Sequence, residues 1–168
     1  SALFMVERQS LARLEHPHIA RLYEAGSTDD GALYFAMEWI SGAAVDQHCR
    51  ARKLDRAAIL RLMVAVCRGV QHAHTRGVIH RDLKPANILV ANIDGVATPQ
   101  IIDFGIAGAP GHAGGASVGT LGYMAPEQAQ PGELIDQRAD VYALGVVLLE
   151  LLTESAGIDH LSWWALDA

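Results

Sequence analysis

"HRDLKPANILV", residues 80–90, packs an acid, a base and an amide into a few positions between two apolar stretches. Taken alone, Asp82 and Asn87 read equally well as turn formers, because short polar side chains of this kind bond their own backbone. The neighbours shift the balance. Lys84 stands two residues from Asp82, and Pro85 stiffens the backbone between Lys84 and Asn87.

Upstream of this stretch, residues 55–76 predict a long helix capped by Asp55 and closed by Gly77. Its apolar stripe is Ile59, Leu62, Met63, Val66, Val70 and Ala73. "GAAVDQHCR", residues 42–50, predicts a short helix. Residues 19–25 and 32–40 are short strand-like runs on either side of the turn-rich "GSTDDG". Residues 3–14 alternate apolar and charged positions at helical spacing until Pro17 forbids continuation. Downstream, "NILVA" and "PQIIDF" predict a hairpin with Asp94-Gly95 at its tip. Residues 105–122 carry seven glycines and little periodicity, the mark of a loop. Asp136 then caps a helix running to about Leu152, apolar nearly all round and therefore expected in the middle of a core. A little β followed mostly by α is an α+β arrangement.

The 168 residues, half of them hydrophobic, suffice for one domain with a real core. Net charge is −6 with no basic run, which argues against a nucleic-acid partner. The longest apolar run, "VYALGVVLLELL", is too short to span a bilayer and contains Glu150. Cys49 and Cys67 lie at no metal-like spacing and read as small hydrophobes in a reducing, cytoplasmic setting. His72 and His74 sit two apart on the long helix and so point in different directions, which speaks against a metal pair.

A second acidic element, "DFG" at 103–105, follows the second hairpin strand. Asn87 and Asp103 are hard oxygen ligands of the kind Mg²⁺ takes alongside phosphate oxygens. A cation, a lysine and a carboxylate converging on one point are what phosphoryl transfer requires. The moving group is heavily negative, and the incoming hydroxyl must be oriented and relieved of a proton.

Four segments in order, "HRDLKPAN", "DFG", "GTLGYMAPE" and "DVYALG", give the chain its resemblance to the protein kinases. The likeness reaches back to "ERQSLARLEHPHIARLYEAG", similar to the family's αC helix and following strand, and fades after Thr153. "HRDLKP" with "GTLGYMAPEQ" resembles the serine/threonine branch, particularly the eukaryote-like kinases of bacteria; tyrosine kinases usually lack a lysine at the position of Lys84. The resemblance implies a two-lobed fold, here cut at both ends. Residues 1–36 would be a remnant of the small lobe, 37–42 the hinge, 43–153 the large lobe and 154–168 an atypical C-terminus.

It also implies roles. Asp82 would accept or orient the substrate hydroxyl, Lys84 would steady the γ-phosphate, and Asn87 and Asp103 would hold Mg²⁺, with Mn²⁺ as a substitute. ATP would lie against Met37 as gatekeeper, the backbone of Glu38 and Ile40, and Leu89. Glu7 matches the αC glutamate that pairs with a strand lysine, and Leu11, His80 and Phe104 would stack as a spine. Asp140 would accept backbone N–H groups from the catalytic loop, and Glu127 would pair with an arginine from a later helix. Thr120 would bond Asp82 and Lys84 and shape the site for a Ser or Thr acceptor on a protein substrate.

Several features depart from the pattern. No G-x-G-x-x-G loop and no V-A-I-K-like lysine precede Glu7 in this sequence. The polypeptide by itself is therefore expected to turn over weakly or not at all and to be marginally stable, as a piece of an enzyme whose full length could carry a membrane anchor. Arg81 before Asp82 marks kinases switched by phosphate on the activation segment, and Ser117 is the candidate acceptor. Residues 103–127 hold no Lys or Arg, so such a phosphate would find Arg81 as its one evident basic partner. The competing reading is an inactive kinase-like interaction module, against which the intact Asp82, Lys84, Asn87 and Asp103 speak. A small-molecule phosphotransferase would share the Asp and Asn but would not need "GTLGYMAPE".

Overall fold

The computed structural model describes residues 14–28, 30, 33–104, 122–130 and 132–153. The predicted helix over 3–14, apart from Leu14, the Gly-rich stretch 105–121 and everything after Thr153 lie outside the described residues.

Strands β1 (Leu22–Ser27) and β2 (Leu33–Met37) form the first antiparallel hairpin. Its lead-in is stitched to the rest of the molecule by a parallel bridge between Ile19 and Ile101, with Ala20 N–H donating to the Ile101 carbonyl at 2.9 Å and Ile101 N–H to the His18 carbonyl at 2.9 Å. A three-stranded sheet follows in the order β3 (Gly42–Ala44), β4 (Ile88–Ile93), β5 (Val96–Ile101), antiparallel throughout. The β4–β5 turn is Asp94-Gly95, with φ of 51° and 82°; both values are positive, as the tight two-residue turn matching strand twist demands.

Helix α1 spans Val45–Arg52 and α2 spans Arg56–His74. The short helix expected from residue 42 thus starts three residues later, because residues 42–44 pair with β4 instead. Asp55 caps α2, accepting the Ala58 N–H at 2.7 Å. The stripe Ile59, Leu62, Met63, Val66, Val70 and Ala73 is buried, facing β5 and α3 (Arg138–Thr153). Gly69 lies in this face, and a Cβ there would sit 3.0 Å from Ile101 Cδ1 and 3.1 Å from the His18 carbonyl. Glycine lets α2 close onto the seam between the two sheets.

Two expectations need correcting. Cys67 is exposed, not a core hydrophobe; it is one residue, about 100° of helix, away from buried Val66. Helix α3 is not enclosed: Ala143, Leu144, Val147 and Leu151 are buried, whereas Val141 and Leu149 face solvent at 62% and 50% exposure. Asp136 stands before it and accepts the Arg138 N–H at 2.8 Å.

Candidate active site

Helix α2 ends at His74 with Thr75 as its C-cap, and Gly77, with φ of 73°, then turns the chain into residues 78–84, a stretch with no helical or strand pairing. Backbone groups there need partners from side chains. Val78, His80 and Leu83 are buried and anchor the loop, leaving Asp82 and Lys84 half-buried at its surface. Asp140, on the first turn of α3, is 1% exposed and accepts N–H from both His80 (2.9 Å) and Arg81 (2.8 Å). Its carboxylate also meets His74 Nε2 at 2.7 Å. A buried carboxylate is tolerable only with such a complement of donors.

His80 is fully enclosed and its ring is bonded at both nitrogens. Nδ1 accepts the Asp82 N–H at 3.3 Å, so Nε2 carries the hydrogen donated to the Ile102 carbonyl at 2.9 Å. Burial pushes its pKa down, against the opposing fields of Asp140, Asp82 and Asp103. The imidazole is neutral, and its ring lies 4.7 Å from that of Phe104, centroid to centroid.

Around Asp82 the polar groups converge. Lys84 Nζ donates to Asp82 Oδ2 at 2.8 Å. Asn87 Nδ2 donates to the Asp82 carbonyl at 2.8 Å and reaches Oδ2 at 3.3 Å. With its amide nitrogen so engaged, Asn87 has Oδ1 to offer a cation. The turn Pro85–Asn87 sets that orientation, with Pro85 at its first position. Asp103 is fastened next to this group through the backbone: Ile102 N–H donates to the Asn87 carbonyl at 3.0 Å. Asp103 itself has φ of 62°, uncommon for a residue with a Cβ, and is exposed.

The donor set suits a hard divalent cation. Among the described residues no cluster of three or more His, Cys, Asp or Glu could cage a metal. One amide oxygen and one carboxylate fit an ion that keeps waters and phosphate oxygens as its other ligands.

The nucleotide-side positions are partly assembled. Met37 lines a small cavity, about 30 Å³, with Phe35, Ile101, Asp103 and Phe104. Glu38 N–H donates to the Arg21 carbonyl at 2.8 Å. Ile40 is buried and its carbonyl accepts the Gly42 N–H at 3.1 Å. Leu89 pairs across β4 with Ala44 and Gln100. Glu127, half-buried in the turn Pro126–Ala129, adds its field to that of Asp136 on the Arg138 guanidinium. Glu7, Leu11, Ser117 and Thr120 lie outside the described residues.

Sequence reasoning missed other participants. Tyr123 donates its hydroxyl to buried Glu150 at 2.6 Å; burial and that carboxylate hold the phenol well above its ordinary pKa. Gln128 donates from Nε2 to the Arg81 carbonyl at 2.8 Å. His74, weighed only as a metal ligand, meets Asp140, while His72 packs its ring 4.9 Å from that of His16. A lone buried glutamine or half-buried tyrosine leaves no periodic trace, and only the motif neighbourhood "GYMAPEQ" could have drawn attention to them.

An enclosed histidine, an acid with its lysine, and an amide beside a second acid thus stand together on an α+β frame. Comparison with known proteins gives the family. The protein kinase domain model matches residues 2–161. Serine/threonine-protein kinase PknB of Mycolicibacterium smegmatis is 39% identical over 161 residues, covering 89% of this chain and 25% of that protein. PrkC of Bacillus subtilis, also a serine/threonine-protein kinase, is 37% identical over 155 residues, 89% of this chain and 23% of that protein. The crystal structure of the Mycobacterium tuberculosis PknI kinase domain (a C20A mutant) superposes with a TM-score of 0.75 at 33% identity, covering 95% of this chain and 60% of that one. The chain belongs to the protein kinase family, and the two curated relatives named above are serine/threonine-protein kinases. It spans about a quarter of the length of these curated relatives. ATP and a divalent metal are general requirements of the family. No helix among the described residues is long and apolar enough to cross a membrane.

Proposed function

We propose that the natural protein carrying this chain transfers the γ-phosphate of ATP to Ser or Thr hydroxyls of protein substrates, in the cytoplasm. The observation that carries this reading is the convergence of Lys84 and Asn87 on Asp82, with Asp103 fastened beside them through Ile102. Asp82 orients the acceptor hydroxyl and takes its proton as the oxygen attacks the γ-phosphorus and the bond to the β-phosphate oxygen breaks. Lys84, bonded to Asp82 before substrate arrives, steadies the γ-phosphate. Asn87 Oδ1 and the Asp103 carboxylate would hold Mg²⁺, with Mn²⁺ as a substitute; when bound, the ion supplies neutralisation of phosphate charge. The backbone of Glu38 and Ile40 would bond adenine, with Met37 as gatekeeper and Leu89 against the nucleotide. Glu7, Leu11, Thr120 and Glu127 keep the roles that the family resemblance implies for them.

We further propose residues 37–42 as the hinge, with 1–36 on the small-lobe side, 43–153 on the large-lobe side and 154–168 as an atypical C-terminus. The chain's passage from β2 through Glu38 into β3 supports that division.

The test is transfer of labelled γ-phosphate to a generic protein substrate by the natural full-length protein. Asp82→Asn lowers the rate by about a hundredfold or more, because the proton acceptor is lost while the shape is kept. Undiminished activity in that variant would sink the mechanism.

A further inference from the structure

Residues 80–84 make no helix or sheet, and His80 and Leu83 are buried with the other three half-buried, so their peptide groups need partners from elsewhere in the chain. The N–H groups of His80 and Arg81 go to Asp140, and the Asp82 N–H goes to His80 Nδ1. The Arg81 carbonyl accepts from Gln128 Nε2 at 2.8 Å. The other end of the same amide accepts the Ala125 N–H at 3.0 Å, which fixes which atom of Gln128 faces the loop. Gln128 is 8% exposed, so neither bond competes with bulk water. Arg81 has φ of 68°, in the left-handed region that side chains resist, and such a conformation persists only where its surroundings over-determine it. Asp140 holds that residue by its N–H and Gln128 holds it by its carbonyl.

We propose that Gln128 is a positioning residue for Asp82. It pins the Arg81–Asp82 peptide, and with it the bearing of the Asp82 carboxylate toward Lys84 and Asn87. It also ties the turn Pro126–Ala129 to the catalytic loop 47 residues away in sequence. This rests on the reading of Asp82 as the group that handles the acceptor hydroxyl. A small rotation of that peptide moves the carboxylate out of line with the incoming oxygen, while the adenine-side groups at Met37, Glu38, Ile40 and Leu89 are untouched. The loss therefore falls on kcat.

The test uses the natural full-length protein with Gln128→Met, which fills the space without polar atoms, and Gln128→Glu, which keeps the acceptor for Ala125 but turns an oxygen toward the Arg81 carbonyl. Expected are a kcat lowered about tenfold in the first and further in the second, with KM for ATP changed less than about twofold. In an Asp82→Asn background, Gln128→Met should change the residual rate less than about twofold, because its effect runs through Asp82. Wild-type kcat in both variants, or a tenfold loss that persists in the Asp82→Asn background, overturns the proposal. Amide hydrogen exchange over residues 80–84 gives a readout that needs no turnover: it accelerates in Gln128→Met, and unchanged protection there also overturns the proposal. If the wild type transfers no phosphate but exchange accelerates in the variant, the positioning contact stands and the kinase reading of Asp82 is what fails.

Discussion

Asp140 shows how much one side chain can carry. Its two carboxylate oxygens accept from the peptides of His80 and Arg81 and meet the ring of His74, all within an enclosed volume. Replacing one oxygen by an NH2 group leaves donor facing donor. Asp140→Asn should therefore cost about 3 kcal/mol of stability, read as a shifted urea midpoint, together with most of the activity. At Ser117 a different outcome is expected. Its phosphate would meet Arg81 and little other positive charge, so phosphorylation in the full-length protein should raise activity by less than about a hundredfold, measured on the singly modified protein. At this scale the sequence was most legible where chemistry is dense: Asp82, Lys84, Asn87 and Asp103 stand in short motifs. It was least legible at Gln128 and Glu150, whose partners lie 47 and 27 residues away and leave no local pattern.

Helix α2 was readable because cap and stripe agree with one another, though it ends at His74, two residues short of the expected Arg76, with Gly77 turning the chain just beyond. Asp55→Ala should cost about 1 kcal/mol, since the Ala58 N–H loses its acceptor; a denaturant melt checks it. The β4–β5 hairpin was equally legible, its Asp-Gly tip being the residue pair that tolerates positive φ at both positions. By contrast β3 is three small residues whose strand state comes wholly from pairing with Ala91, Val90 and Leu89, a long-range fact that overrides local helical preference. Cys67 misled for the opposite reason. An apolar run of sequence does not say which side of a helix each member occupies.

At the scale of the molecule, four described histidines contribute to the response to acid. Burial lowers the pKa of His80 and, to differing degrees, those of His16, His48 and His72, where neighbouring His72, Arg52 and Arg76 respectively add to the effect. The unfolded chain takes up protons near pH 6.5 while the folded chain resists them. Stability is thus fully present above about 6.5 and falls as pH drops below it; a urea midpoint lower at pH 5.5 than at pH 7.5 is expected. Protonating His80 would also turn Nδ1 into a donor facing the Asp82 N–H, so the loop should loosen only at a pH below the ordinary imidazole range. The bonds that shape this loop span 60, 47 and 22 residues, to Asp140, Gln128 and Ile102. Helix α2 and the β4–β5 hairpin can form from near neighbours, but the loop between them closes only after distant segments have docked, at an entropic cost that local structure does not bear. During refolding, competence at Asp82 should therefore be the last property to return, and on the way to unfolding it should be lost with the global transition, making the site a sensor of the entire fold's integrity.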